Sequence, residues 1–209
     1  MWNTISKAWQ AAFEQGWEAF INGSIPIGSV IADENGEIIS YGRNRICEKS
    51  TLNPKIAHAE TEAIQKLDVS KYPNVKSYTL YTCMEPCLMC MGTFVMANLR
   101  KLKIAARDGY CGAVHYCNSD SYVASKKIEV DFELGIFEIV QLVMQSYYEL
   151  RFSNGKKNRI TEIFEKYNPV AVEIAKILYI DKRLDWHIAN KTDCSKVFNE
   201  IVRLFENFK

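Results

Sequence analysis

Residues 56–64 read IAHAETEAI, a histidine two positions before a glutamate inside an otherwise apolar run. Apolar residues recur at helical spacing through Ile56–Leu67, which predicts a helix. The stretch alone leaves two readings open: an ordinary helix with a polar edge, or half of a metal site. A single histidine on a helix is most often structural or solvent-facing, and Glu60 alone is blander still.

A second stretch, YTCMEPCLMCMG at 81–92, changes the balance. Cys87 and Cys90 are three residues apart, so on a helix they share one face. Pro86 suits the first helical position. Near the start of a helix, the dipole and the unpaired N–H groups favour thiolate over thiol. On its own a C-x-x-C reads as structural zinc, a redox pair or coincidence. Together with His58 it supplies one imidazole and two thiolates, a three-ligand set that leaves a tetrahedral position open. A thiol redox pair has no use for a histidine–glutamate helix start. His58, Cys87 and Cys90 are therefore the candidate zinc ligands. Glu60, two residues along its helix, is the candidate general base.

The rest of the chain supplies a frame for these two helix starts. Ile5, Trp9, Ala12, Phe13, Trp17 and Phe20 mark an amphipathic helix over 4–22, ended by Asn22-Gly23. Residues 25–44 give two β-rich runs around Asp33-Glu34-Asn35-Gly36, a hairpin signal. A polar loop at 47–55 precedes the Ile56–Leu67 helix. Strands are expected at 77–82, 101–107 and 128–132, a helix from Pro86 onwards, and a long helix at 133–152. Residues 108–128 read as irregular. This order predicts an α/β layered domain. SNGKKN at 153–158 is the best boundary, which divides the chain into a catalytic domain at 1–152 and a helical extension at 153–209. Helices are expected there at 159–167, 168–183 and 192–208.

Composition bounds the partners. Of 209 residues 48 % are apolar, so a sizeable core is available, and 26 Lys and Arg against 25 Asp and Glu leave a net charge of only +1. Phosphate-binding proteins usually carry a basic excess, which is absent in bulk. Seven cysteines, three of them within 83–90, do not suit a secreted disulfide scaffold. No run approaches the roughly 18 apolar residues of a membrane span. The expectation is a cytoplasmic protein with reduced thiols and no membrane partner.

H-x-E followed by P-C-x-x-C resembles the signature of the zinc-dependent cytidine and nucleobase deaminases. PIGSVIADENGEIISYGRNR, HAETEAI, LYTCMEPCLMCMG and AARDGYCGA resemble, in family order, the tRNA-adenosine, guanine and cytosine deaminase branch, over about residues 4–152. The resemblance implies a three-layer α/β/α cytidine-deaminase-like fold with a mixed central sheet. It also implies one Zn²⁺ per chain on His58, Cys87 and Cys90, with Glu60 as proton shuttle. Zinc in such a set lowers the pKa of water to about 7. Substrate contacts carried over from the family are Asn44, the backbone N–H of Ala59, Asp108, and a wall at Pro26 and Ile27. Asn44 also reads as a turn residue, and Asp108 as a turn or cap. Glu85 is expected to bond backbone.

Relatives commonly form homodimers, so a homodimer is expected. Tyr147-Tyr148 match the aromatic pair that grips the anticodon loop in the tRNA branch, but the basic cluster that follows there is thin here. A small nucleobase or nucleoside, with a purine somewhat favoured, is therefore the expected substrate. Adenosine in tRNA is the alternative, and a silent binding or assembly subunit is a further reading from another class.

Overall fold

The computed structural model describes residues 1–49 and 53–208. Of the expected polar loop at 47–55, residues 50–52 lie outside the described residues.

Helix α1 (Lys7–Ile21) opens at Ser6, whose hydroxyl accepts from the Trp9 N–H, and buries Trp9, Phe13, Trp17 and Phe20. Strands β1 (Gly28–Ala32) and β2 (Ile38–Arg43) form the expected antiparallel hairpin. Its turn is fixed by Asp33 Oδ1, which accepts from the N–H groups of Asn35 and Glu37 at 2.9 Å each. Gly36 takes the positive φ (83°) that the turn requires. Then follow α2 (Ala59–Lys66), β3 (Thr79–Thr82), α3 (Leu88–Met96), β4 (Lys101–Ile104), α4 (Tyr116–Ser119), α5 (Ser121–Ser125), β5 (Glu129–Phe132) and α6 (Ile136–Phe152).

The sheet has the order β2-β1-β3-β4-β5. Strand β1 runs antiparallel to both β2 and β3, whereas β3, β4 and β5 are parallel. It is a mixed sheet with helices on both faces. Alternation along the strands divides the core: Val30 and Tyr81 point to the side of α1 and α6, while Ile31 and Leu80 join Ala63, Phe94 and Leu102 on the side of α2 and α3. This is the expected three-layer α/β/α arrangement.

Every residue of α6 from Glu138 to Leu150 is buried. A helix covered all round must lie between layers. The outer cover consists of α7 (Arg159–Tyr167), α8 (Pro169–Ile180), α9 (Arg183–Ala189) and α10 (Cys194–Glu206). One continuous core joins them to the N-terminal helix: Phe198 of α10 meets both Trp2 and Phe13 edge-on at 5.3 Å.

Three local expectations are corrected. The segment 108–128 is not wholly irregular, since it holds α4 and α5. Among the described residues the tail has four helices instead of three. The addition, α9, is only seven residues long and opens at Lys182 in a left-handed conformation with no side-chain cap, so it carried no start signal. Pro86 is not the first residue of α3: Cys87 is its N-cap, and the proline lies before the cap. Among the described residues, no helix is long and apolar enough to cross a membrane.

Candidate metal centre and active site

Two helix N-termini converge on one place. His58 is the N-cap of α2 and Cys87 the N-cap of α3, both in extended backbone conformations, and neither side chain caps its own helix. Their ligand atoms are thus left free to face outwards from the helix mouths. Helix α2 reaches this position because β2 carries Gly42 where it crosses. A Cβ built there would stand 2.1 Å from the Ala59 carbonyl oxygen and 2.4 Å from the Ala63 nitrogen. Nearby, Ser40 Oγ donates to the Ala63 carbonyl at 2.6 Å, and Glu62 accepts from the Arg43 N–H at 2.7 Å. Glu62 stays below its usual range because, against the cost of burial, it accepts from that N–H and from Lys66 and Arg45.

The three candidate ligand atoms lie within 4.8 Å of one another. His58 Nδ1 stands 3.6 Å from Cys87 Sγ and 3.5 Å from Cys90 Sγ, and the two sulfurs are 3.5 Å apart. Tetrahedral zinc with its ordinary bond lengths separates sulfur and nitrogen by about 3.6 Å, and two sulfurs by about 3.8 Å. The donor set and its spacing therefore fit one zinc ion. Even without an ion the trio favours a thiolate: Cys90, and after it the His58 ring, hold the Cys87 thiol down at about 4.

Glu60 is buried beside this trio. Its Oε2 lies 3.2 Å from Cys90 Sγ, and its Oε1 is 2.9 Å from the Thr82 hydroxyl. Burial pushes its carboxyl up from the usual range. His58, Cys87 and Glu60 share the wall of a cavity of about 170 Å³.

Of the other residues singled out in the sequence, Asn44, Ile27 and Asp108 also line this cavity; Ala59 and Pro26 are not among its lining residues. Ala59 is fully buried, and the Pro26 carbonyl accepts from Gln141 Nε2 at 2.9 Å, behind the wall. Asn44 Oδ1 accepts from the Ile46 N–H at 3.1 Å. Asp108 Oδ1 accepts from the N–H groups of Tyr110 (2.8 Å) and Cys111 (3.2 Å), closing a turn at the rim. Glu85 accepts backbone N–H groups from Asp108 and Val114, each at 3.2 Å, and so fixes that rim.

Other lining residues were not anticipated, among them Gln145 of α6, Ile160 of α7, and Tyr110 and Cys111 of the rim. Gln141 and Gln145, one turn apart among the apolar residues Ile139, Val140, Leu142, Val143 and Met144, were a visible signal. Ile160 had none, because only tertiary packing brings α7 over the rim. There Arg159 lies over the Tyr110 ring at 5.2 Å, Arg107 over the Tyr167 ring at 5.1 Å, and Tyr167 Oη donates to the Arg107 carbonyl at 2.7 Å.

Two helix mouths thus bring His58, Cys87 and Cys90 together beside a buried glutamate and a small cavity, and similarity to known proteins places this framework among the zinc-dependent deaminases. Residues 3–106 match the family described as the cytidine and deoxycytidylate deaminase zinc-binding region. A tRNA-specific adenosine deaminase of Rickettsia bellii is 36 % identical over 105 residues, which are 49 % of this chain and 70 % of that protein. A cytosine deaminase of Candida albicans is 26 % identical over 106 residues, 51 % of this chain and 69 % of that protein. A solved structure from work on A-to-I editing by tRNA:A34 deaminases superposes with a TM-score of 0.52 at 26 % identity, covering 63 % of this chain and 93 % of that one. The chain belongs to the cytidine and deoxycytidylate deaminase zinc-binding family.

Proposed function

We propose that this protein is a hydrolytic deaminase of a small nucleobase or nucleoside, with a purine the favoured ring, releasing ammonia from an exocyclic amine. The observation that carries this reading is the small size of the cavity beside His58 and Cys87. At about 170 Å³, with Ile160 of α7 in its wall, it is smaller than the roughly 300–1,000 Å³ typical of drug-sized ligands.

His58, Cys87 and Cys90 would hold the zinc, which supplies Lewis acidity and a nucleophile from water at neutral pH. Glu60 would take a proton from the attacking water and deliver it to the ring nitrogen beside the amine-bearing carbon, while the water oxygen bonds to that carbon. The C–N bond would then break as Glu60 passes the water's second proton to the amine, which leaves as ammonia, and the carbon keeps the oxygen as a carbonyl. Glu60 is suited to both steps, since burial raises its carboxyl and makes it a better proton acceptor than an exposed carboxylate. Asn44, Asp108 and Ile27 line the cavity, which supports a reading in which the first two contact the substrate and Ile27 packs against its ring.

Adenosine in tRNA is the second reading, favoured by the similarity to proteins of that name. Against it, Tyr147 and Tyr148 are 0 % and 6 % exposed, and an RNA loop needs stackable aromatics on the surface together with phosphate neutralisation. Ammonia release by the zinc-loaded protein decides between them. Turnover of adenine, guanine, cytosine or their nucleosides is expected; silence on all of these with turnover of an anticodon stem-loop reverses the ranking, and silence on both favours a binding or assembly subunit.

The seven unpaired cysteines suit a reducing, cytoplasmic setting. Exposed Leu88 and Met96 on α3 are consistent with a homodimer, which light scattering would detect.

A further inference from the structure

One polar group in the cavity wall has nothing to bond. Gln145 is only 6 % exposed, its Oε1 has no hydrogen-bond partner among the described residues, and its side chain lines the cavity beside Glu60. Gln141, one turn earlier on α6, donates Nε2 to the Pro26 carbonyl and also leaves its Oε1 without a partner among the described residues, but it does not line the cavity; Asn44 Oδ1 accepts from the Ile46 N–H. The remaining wall near α6 is largely apolar, with Ile25, Ile27, Met84 and Ile160. A buried amide in such surroundings is costly unless a partner arrives.

We propose that Gln145 is the specificity-determining residue of this pocket, recognising a free nucleobase through a ring N–H that stands beside an acceptor atom. A primary amide presents one acceptor and one donor side by side, and such an edge of a base is its complement. The deamination chemistry occupies a different edge, the amidine formed by the ring nitrogen and the exocyclic amine next to Glu60. Adenine keeps an N–H/acceptor edge at N9 and N3, and cytosine keeps one at N1 and O2. Attachment of a sugar removes that N–H in both. The inference rests on the deaminase reading above and narrows it from nucleobase or nucleoside to the free base.

The test compares wild type with Gln145→Leu, a variant of similar volume, on each accepted base and on its analogue methylated at that ring nitrogen (9-methyladenine, 1-methylcytosine). Wild type is expected to favour the unmethylated base by at least about 10-fold in kcat/KM. In Gln145→Leu that preference should fall to near unity, through a raised KM for the free base with kcat little changed. Calorimetric binding of the same bases to a Glu60→Ala background should lose the same factor. The ligand-free variant should melt no lower than wild type, because no native bond is lost. Gln145→Met repeats the comparison if the leucine variant does not fold.

An unchanged KM in these variants, or a methyl discrimination that survives them, overturns the role of Gln145 and leaves the deaminase reading standing. A lower melting point in both variants overturns it too, by showing that the amide is structural. Failure of zinc-loaded wild type to bind or turn over any free base overturns this inference, and failure on the nucleosides as well overturns the activity itself.

Discussion

Tyr147 Oη donates a hydrogen bond to Asp185 Oδ2 at 2.7 Å and accepts one from the Asp185 N–H at 3.1 Å. The ring thus belongs to the joint between α6 and α9, and is not offered to solvent. Tyr147→Phe should lower the melting temperature, since a lost buried hydrogen bond costs about 0.5–1.5 kcal/mol, while kcat and KM stay as they are. Thermal unfolding and ammonia-release kinetics check both halves. A change in kcat/KM without a loss of stability would give Tyr147 a place in substrate binding.

Glu60 and the ligand trio should separate cleanly on mutation. Glu60→Ala is expected to keep one zinc per chain and to lose at least roughly 10²–10⁴ in rate. Cys87→Ala removes a ligand and should lose the metal as well. Metal analysis of the purified variants beside their rates makes the distinction.

Gly42→Ala tests how closely β2 must approach α2. With backbone at 2.1 Å from the added Cβ, the helix that carries His58 and Glu60 has to move. The cost should be at least the roughly 1–3 kcal/mol of ordinary overpacking, with weakened zinc retention. Denaturant melts and a competitive chelator titration would reveal both effects.

Glu149 predicts a pH dependence of known sign. Burial raises its carboxyl, outweighing the hydrogen bond donated by Asn158 Nδ2 at 2.6 Å. For an acid whose folded pKa is raised, the penalty is absent below the unfolded value near 4.5 and grows as pH rises through the folded value. Glu149→Gln keeps an acceptor for Asn158 but carries no charge. It should therefore melt above wild type at pH 7.5 and close to it at pH 4. A pH series of thermal melts decides.

Residues 1–152 expressed alone should not give a well-behaved domain. Without α7–α10 the outer side of α6 loses its cover, and Trp2, Phe13 and Tyr147 lose their partners Phe198 and Asp185. Such an apolar face drives association, so aggregation is expected on size-exclusion chromatography. A monodisperse, zinc-loaded fragment would establish residues 153–209 as a dispensable addition.

The layered core and the metal centre were legible in the sequence because each rests on local spacing. Asn35-Gly36 announces the hairpin, His58-x-Glu60 and Cys87-x-x-Cys90 fix ligands within single turns, and the α1 aromatics recur at helical intervals. The cavity wall was less legible. Ile160 and Tyr110 meet the centre only through the packing of α7 on the 107–111 rim, and no local pattern encodes a contact between segments so far apart. Pro26 and Ala59 are each next in sequence to a lining or ligand residue, yet neither is among the residues that line the cavity.

The clasp between the two ends of the fold has a consequence for timing. Trp17 Nε1 donates to the Thr192 carbonyl across 175 residues, at 2.7 Å. At synthesis rates of about 5–20 residues per second, α1 waits roughly 9–35 s on the ribosome before that partner exists. During this interval Trp2 and Trp17 lack their partners Phe198 and Thr192, so the nascent chain is most exposed to misassociation before α10 arrives. The abundance of active protein in a cell should accordingly depend on chaperone supply more steeply than its equilibrium stability implies.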